Sequence, residues 1–287
     1  MANKMADKIK SSGGQVTLNS TVNKILTKNN RALGVQLESG KTISADYVVS
    51  NADLQNTYDG LLGHKKKKRW TKHKLDAKNW SMSLFVWHFG TSKTRSKWKN
   101  VGHHTILVGP NYEKEVNDIF LKGKLPQEMS LYVHRPSVTD KTCAPKGDDT
   151  FYVLACVPNL SFKNDINWRK IEKSYKGKIL DVLERRLLPG LGQSIKTDYV
   201  MTPLDFKERY LSHFGCGFSL EPQMFQSAWF RPHNISENFP GLYLVGAGTH
   251  PGPGVPGVLA SAEIVAKLIP DISEPFKTSG IQEKLME

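Results

Sequence analysis

The sequence predicts an α/β fold in which α and β elements are mixed (α+β mixed), and two features indicate this class. Residues 242–245 are an uninterrupted apolar run that precedes a glycine-rich turn and a helical pattern, as expected for a buried strand that leads into a helix. Between residues 80 and 160, several strand-like runs precede a second helical pattern at residues 170–188. This order predicts a sheet with helices packed on it.

The glycine-rich corner near the C-terminal end is the most informative segment. Its glycines are Gly246, Gly248, Gly252, Gly254 and Gly257. The helix that follows has Pro256 in its first turn, and its apolar positions are Val258, Leu259, Ala262, Val265, Ala266 and Ile269. A turn without side chains that leads into a helix N-terminus presents bare amides and a positive dipole to a ligand. The spacing is not the dinucleotide fingerprint, so a corner that only turns the chain remains an alternative.

The other elements follow from the alternation of apolar and polar residues. A short helix is expected from Met1 to the glycines at 13 and 14, and strands are expected over residues 15–53, the first beginning with Val16, Leu18 and Val22. Ser39-Gly40 signals a hairpin turn. Strand-like runs then lie at residues 83–89, 105–108, 130–134 and 151–157. The helix at 170–188 has one apolar face, formed by Ile171, Tyr175, Ile179, Val182, Leu183 and Leu187.

The chain has a net charge of +13, and a run at residues 64–78 contributes much of it. This run has eight basic residues against one acid, a net charge of +7. We interpret this run as a solvated linker, and attraction to anionic lipid headgroups is the second interpretation. Nucleic-acid binding is the least favoured, because only Trp70 is nearby for base stacking. The three cysteines have no disulfide or zinc spacing, and no apolar run approaches bilayer length. We expect a cytoplasmic protein with peripheral membrane contact.

No catalytic residue can be identified from the residue pattern. Asp140, Asp205 and Glu221 are expected to make structural hydrogen bonds, and no role is assigned to residues 231–233. We predict no metal site at His103-His104, because adjacent strand residues point to opposite faces. The aromatic residues of the middle segment favour a core over an apolar tunnel for any single residue; they are Phe85, Trp87, Phe89, Phe214, Phe218, Phe225, Trp229 and Phe230.

The chain is similar to the bacterial-type phytoene desaturases, which are FAD-dependent carotenoid desaturases. The similarity rests on the glycine-rich corner and on blocks that follow in the family's order, at residues 44–53, 83–90, 103–110, 130–134, 136–140, 152–158 and 226–234. The resemblance implies part of a two-lobed FAD-dependent oxidoreductase with a mixed-sheet substrate domain. It places residues 1–62 and 236–287 in the FAD-binding domain, 63–79 in a basic linker, and 80–235 in the substrate-binding domain.

The resemblance also implies which residues bind FAD. Gly246, Ala247 and Gly248 would approach its phosphate and ribityl part through their backbone. Val255, Pro256, Gly257 and Val258 would form the helix N-terminus that faces the pyrimidine edge of the flavin ring. Val22 would pair its backbone with the adenine edge.

The family's N-terminal glycine-rich loop has no match here, so we expect a C-terminal part of a longer desaturase, whose reading frame continues upstream. The implied function is desaturation of phytoene, a lipophilic polyene, to lycopene-type products. The alternatives are a desaturase or oxidase for another carotenoid such as diapophytoene, a non-catalytic fragment without FAD, and a relative of the flavin amine oxidases. The oligomeric state remains open.

Overall fold

The computed structural model describes residues 2–63, 69–162 and 166–270, and the α/β class is confirmed. Over these residues the strands are β1 (Val22–Lys28), β2 (Arg31–Leu37), β3 (Thr42–Ser44), β4 (Val48–Ser50), β5 (Ser83–Thr91), β6 (His104–Leu107), β7 (Leu131–His134), β8 (Asp149–Val157), β9 (Ile195–Met201) and β10 (Leu242–Leu244). The α-helices are α1 (Ala2–Ser11), α2 (Lys72–Asp76), α3 (Tyr112–Phe120), α4 (Trp168–Arg186), α5 (Pro203–Arg209) and α6 (Val255–Leu268). In these ranges no helix has both the length and the apolar character that crossing a bilayer requires.

The described residues form two compact units. The first unit contains the residues up to Asn51 and those from Pro232 onward, and the second unit contains those from Ala52 to Arg231. The expected boundaries were after residues 62 and 235. Residues 52–62 join the second unit, and the expected linker also contributes buried side chains, Trp70 and Leu75; its residues 64–68 lie outside the described residues. The assignment of the units to flavin and substrate binding stays a prediction.

The first unit contains two small sheets. Strands β1, β2 and β3 form an antiparallel sheet, and the expected hairpin turn at Ser39-Gly40 joins β2 to β3. The first strand begins at Val22 rather than at Val16, because Asn19 has a φ of 52° and interrupts an extended backbone. Strand β10 pairs in parallel with β4, and all three of its residues are buried.

The second unit is built on a five-stranded sheet with the order β6-β7-β8-β5-β9. Every pairing in this sheet is antiparallel, whereas a mixed sheet was expected. The four strand-like runs read from the sequence correspond to β5, β6, β7 and β8. Strand β9 was not anticipated, because four of its seven residues are exposed and its sequence does not alternate between apolar and polar residues.

The two faces of this sheet have different environments. Alternate residues of β8 are buried, in the pattern typical of a strand with one covered face. Helix α4 covers that face with Tyr175, Ile179 and Leu183, which confirms three positions of its expected apolar face. The aromatic residues Phe85, Trp87 and Phe89 belong to this core. They therefore stabilise the sheet and do not line a tunnel.

A buried ion pair joins β8 to the chain segment after β7. The guanidinium of Arg135 donates to both carboxylate oxygens of Asp149, at 3.1 and 2.7 Å, and also to the carbonyls of Trp98 and Val101. Ser137 donates to Asp149 as well. Burial alone would raise the pKa of Asp149, but the hydrogen bonds from Arg135 and Ser137 outweigh it and hold the pKa below its usual value.

We expect Asp149→Asn to lower the free energy of unfolding by about 3–5 kcal/mol, because it leaves the Arg135 guanidinium buried without its counter-charge. The measurement is urea unfolding at neutral pH. The exposed Asp181→Asn is the control and should change stability by less than about 0.5 kcal/mol. Because the folded pKa of Asp149 lies below the ordinary 3.8, its contribution is complete above that pH and is lost as the pH falls through the folded value. A difference between wild type and Asp149→Asn that stays constant on acidification would contradict this account.

Candidate functional site

The glycine-rich corner lies in the first unit between β10 and α6. The Val245 amide still donates to the Ser50 carbonyl, so the pairing of β10 with β4 extends to Val245. The chain then turns at Gly246, whose φ of 101° disfavours residues with a side chain. Ala247 and Gly248 follow in the turn, both half-buried. The expected strand, turn and helix are all present.

The first amide of this corner is not bare. The Gly246 N–H donates to the Ser261 hydroxyl at 2.9 Å, and this hydroxyl donates to the Val258 carbonyl at 2.6 Å. A side chain at Gly246 would overlap the Asn51 side-chain oxygen. The Gly246 amide thus connects the turn to α6, and the expected approach of its backbone to a cofactor stays a prediction.

The N-terminus of α6 has the properties expected of an anion-binding helix end. Gly254 precedes the helix, no side chain caps it, and its first turn contains no acidic residue. Val255 is 63% exposed, so this end is accessible within the first unit. A Cβ at Gly257 would lie 2.6 Å from the Gly252 carbonyl oxygen, so only glycine permits this close approach of turn and helix. Uncapped first-turn amides and the helix dipole fit a phosphate or the electron-rich edge of a flavin.

The expected helical positions are only partly buried. Among the six apolar positions, Val265 is buried and Val258 and Ile269 are half-buried, whereas Leu259, Ala262 and Ala266 are exposed. Ser261 is fully buried in their place. Helix α6 therefore packs in the first unit with the side that carries Ser261 and Val265, and not with the whole of the predicted apolar face.

Val22 belongs to a different sheet from the strand that leads into the corner. It is the first residue of β1, is half-buried, and is paired with Leu37 of β2. It therefore belongs to the three-stranded sheet, whereas the corner extends from the sheet of β4 and β10. The structure brings Gly246, Ala247, Gly248, Val255, Pro256, Gly257 and Val258 together at one corner, and their contact with a cofactor stays a prediction.

All three acidic residues named from the sequence have hydrogen-bond partners, and Glu221 accepts from the Gln223 side chain at 2.6 Å. Asp140 accepts from the Thr142 amide and hydroxyl, and Asp205 accepts from the Thr202 amide and hydroxyl in a capping box. Burial raises the pKa of Glu221 and also that of Asp53, an acid that the sequence reasoning did not consider as a candidate. A shifted carboxyl pKa is typical of functional groups, but no residue pattern in the sequence marks Asp53.

The sheet face opposite α4 is largely apolar. Leu84, Val86 and Met201 form a small buried cluster on it, against which other residues pack; these are Tyr152, Leu154, Cys156, Phe206 and Phe218. Burial, followed by contact with Tyr132, raises the pKa of Tyr152 to about 12, and burial lowers the pKa of His88. Both side chains are therefore neutral at pH 7, and we call this surface the uncharged face.

The histidines at 103 and 104 do not point to opposite faces. Only His104 belongs to β6, whereas His103 lies in the bend before it, and their rings stack with centroids 4.3 Å apart. His134 of β7 joins them, with its ring 4.6 Å from that of His103. The geometric argument against a shared ion is therefore wrong, because the strand alternation does not extend to His103. The sequence did contain the signal, since all three histidines lie in the blocks already singled out.

The chain belongs to the family of flavin-containing amine oxidoreductases, which it matches over residues 1–270. It is 56% identical over 96% of its length to the neurosporene-forming phytoene desaturase of Rhodobacter capsulatus, covering 53% of that protein. It is 48% identical over 90% of its length to the lycopene-forming phytoene desaturase of a Paracoccus species, covering 50% of that protein. The chain thus spans about half the length of these curated relatives. Desaturases of 4,4'-diapophytoene match at 31 to 35% identity.

The fold is shared with solved structures of much lower sequence identity. An oxidoreductase from Methanosarcina mazei aligns with a TM-score of 0.62 at 18% identity, over 92% of this chain and 53% of that protein. This likeness concerns the fold alone. Together with the family match it confirms the expected class of flavin-dependent oxidoreductase fold. The curated relatives confirm the expected similarity to bacterial phytoene desaturases.

We expect Gly257→Ala to destabilise the corner by about 1–3 kcal/mol, because the added methyl group would force the start of α6 away from the Gly252 carbonyl. Thermal unfolding of the purified chain measures the effect. The matched control is Gly177→Ala in the middle of α4, where a Cβ meets no atom within 4 Å. The control should raise stability by up to about 1 kcal/mol. Equal unfolding midpoints for Gly257→Ala and wild type would contradict the proposed close approach.

Proposed function

We propose that this chain contributes to an FAD-dependent desaturation of phytoene in carotenoid biosynthesis. The observation that carries this proposal is the 56% identity to a phytoene desaturase over 96% of the chain. The lower identity of 31 to 35% to diapophytoene desaturases favours phytoene over the shorter-chain alternative. The proposed activity is that of a desaturase of the relatives' full length, of which this chain spans about half.

The glycine-rich corner supports FAD as the flavin. When bound, the flavin supplies the hydride acceptor that side chains lack. The uncapped amides at Val255 and Gly257 would orient its electron-rich edge and stabilise negative charge there. Ala247 and Gly248 would admit the phosphate part by close backbone approach. Val22 would position the adenine part through its backbone.

The uncharged face of the second unit supports a hydrocarbon substrate. A polyene offers no hydrogen-bonding groups, so its binding surface must be apolar and must exclude charge. Leu84, Val86 and Met201 are buried beneath this face, and the half-buried Leu154 supplies apolar surface. Burial raises the pKa of Tyr152 to about 12, further above its usual value, so its hydroxyl is uncharged at pH 7.

Two alternatives remain as outcomes of the experiment. A non-catalytic fragment would bind no flavin under any conditions. A relative of the flavin amine oxidases would bind flavin and oxidise amines while leaving phytoene unchanged. The uncharged face favours the desaturase over amine oxidation, because none of the side chains named on it is a carboxylate that could pair with a cationic amine.

The experiment is co-expression of the chain with the remaining N-terminal portion of a phytoene desaturase, in bacteria that accumulate phytoene. We expect flavin absorbance in the purified complex and coloured carotenoids in the cell extract, whereas the chain expressed alone should retain little or no flavin. Tight flavin binding by the chain alone would contradict the division of the cofactor site. A flavin-loaded complex that leaves phytoene unchanged would contradict the proposal that phytoene is the substrate.

A matched pair of variants tests the uncharged face in the same cells. Leu154→Lys places a charge among the apolar side chains of this face and should abolish coloured product while flavin content is retained. The control is Leu121→Lys. Because Leu121 is 73% exposed, this variant should leave both product colour and flavin content unchanged. Normal product formation by Leu154→Lys would exclude this face as the polyene surface.

We further propose that the protein is cytoplasmic and contacts a membrane peripherally, because its substrate is lipophilic. Consecutive short helical turns in the second unit expose apolar side chains, with Met224 74%, Phe225 67% and Trp229 76% exposed. Such aromatic residues favour the interface of a bilayer. Sedimentation of the co-expressed complex with anionic vesicles tests this, and Phe225→Ser with Trp229→Ser should reduce the bound fraction severalfold. Vesicle binding that is unchanged in this double variant would contradict the proposed contact.

A further inference from the structure

A cluster of three histidines lies at the β6 edge of the five-stranded sheet. His103, His104 and His134 each offer one ring nitrogen, and these three atoms all lie within 4.8 Å of one another. Backbone pairing fixes two of them, because His104 on β6 is directly opposite His134 on β7. The cluster therefore depends on the regular part of the fold.

The contact between two of these rings requires one hydrogen between their nitrogens, which a metal ion can replace. The Nε2 atoms of His103 and His134 are 2.7 Å apart. Two lone pairs cannot face each other at this distance, and neither can two N–H groups, so a single proton must lie between the nitrogens. A metal ion bound to both lone pairs can replace this proton, as in sites where metal binding releases protons.

The outer nitrogens of two rings are already held by hydroxyl groups. His103 Nδ1 is 2.6 Å from the Thr139 hydroxyl, and His104 Nδ1 is 2.6 Å from the Tyr132 hydroxyl. Metal-bound histidines are typically oriented by a hydrogen bond to the ring nitrogen that does not bind the metal. This arrangement leaves Nε2 of both rings for an ion.

We propose that His103, His104 and His134 form a binding site for a divalent transition metal of the zinc type. Neutral imidazoles are preferred ligands of Zn²⁺, Cu²⁺ and Ni²⁺. With Zn–N bonds of about 2.0–2.1 Å, tetrahedral geometry needs ring nitrogens roughly 3.4 Å apart. The present 2.7 Å contact reaches this spacing if one ring moves by a fraction of an ångström.

The surroundings favour an open coordination position. His104 is exposed, whereas His103 and His134 are half-buried, so water can occupy the fourth position that three protein ligands leave. His134 Nδ1 is buried without a hydrogen-bond partner, so His134 lacks the orienting hydrogen bond that the outer nitrogens of His103 and His104 have.

The experiment is a titration of the purified full chain with Zn²⁺ in competition with a chromophoric chelator. We expect one high-affinity Zn²⁺ per chain, and His104→Ala should weaken this binding at least about tenfold. The exposed position of His104 makes this variant compatible with folding. The matched control is His73→Ala, which replaces an exposed histidine on α2 outside the cluster and should leave the affinity unchanged.

Two further measurements separate this site from adventitious binding. Replacement of Zn²⁺ by Co²⁺ should produce the visible absorption of four-coordinate cobalt in wild type and in His73→Ala, but not in His104→Ala or His134→Gln. Zn²⁺ should also raise the unfolding temperature of wild type and not of His104→Ala. The proposal would be overturned if no Zn²⁺ bound at about 100 μM Zn²⁺. It would also be overturned if His104→Ala and wild type bound Zn²⁺ with equal affinity. Neither measurement depends on flavin binding or on desaturase activity.

Discussion

The register of the five-stranded sheet is the constraint on which the second unit depends. Successive side chains of a strand alternate between faces, so the pairing of β8 with β5 and β7 decides which residues meet α4. In the observed register, Phe151 and Val153 enter the core, while Tyr152 and Leu154 face the other way. A slip of one residue would bury Tyr152 and expose Phe151. The Arg135–Asp149 ion pair opposes such a slip, because it joins the start of β8 to the end of β7.

The first unit depends on a different device, a hydrogen-bonded link between turn and helix. Ser261 is fully buried on α6 and accepts from the Gly246 amide, so the turn and the helix keep a defined separation. Gly257 then allows the Gly252 carbonyl to approach the helix. The amides farther along the first turn of α6 remain without a capping side chain. The corner thus uses one amide for its own structure and leaves the helix end for a ligand.

Sequence reasoning found the elements with strong apolar patterns and failed where the pattern was weak or interrupted. Alternation predicted β5 to β8, and helical spacing predicted the face of α4 that carries Ile179 and Leu183. Strand β9 is largely exposed and does not alternate between apolar and polar residues, so it gave no such signal. The rule that adjacent residues face opposite ways failed at His103, because the strand begins only at His104. The buried Ser261 was also unexpected, since its partner is a backbone amide that no side-chain pattern reveals.

The two proposed activities of the second unit use different parts of one sheet. Met201 lies on β9 and Leu84 on β5, so the apolar part of the uncharged face is near the β9 edge. His104 lies on β6, at the opposite edge. Between them, Tyr132, Tyr152 and His134 are in ring contact across β7 and β8. The histidine cluster is therefore confined to the β6 edge, and a cation is favoured there. Because three strands lie between β9 and β6, substitution of Met201 on β9 should leave the histidine cluster intact.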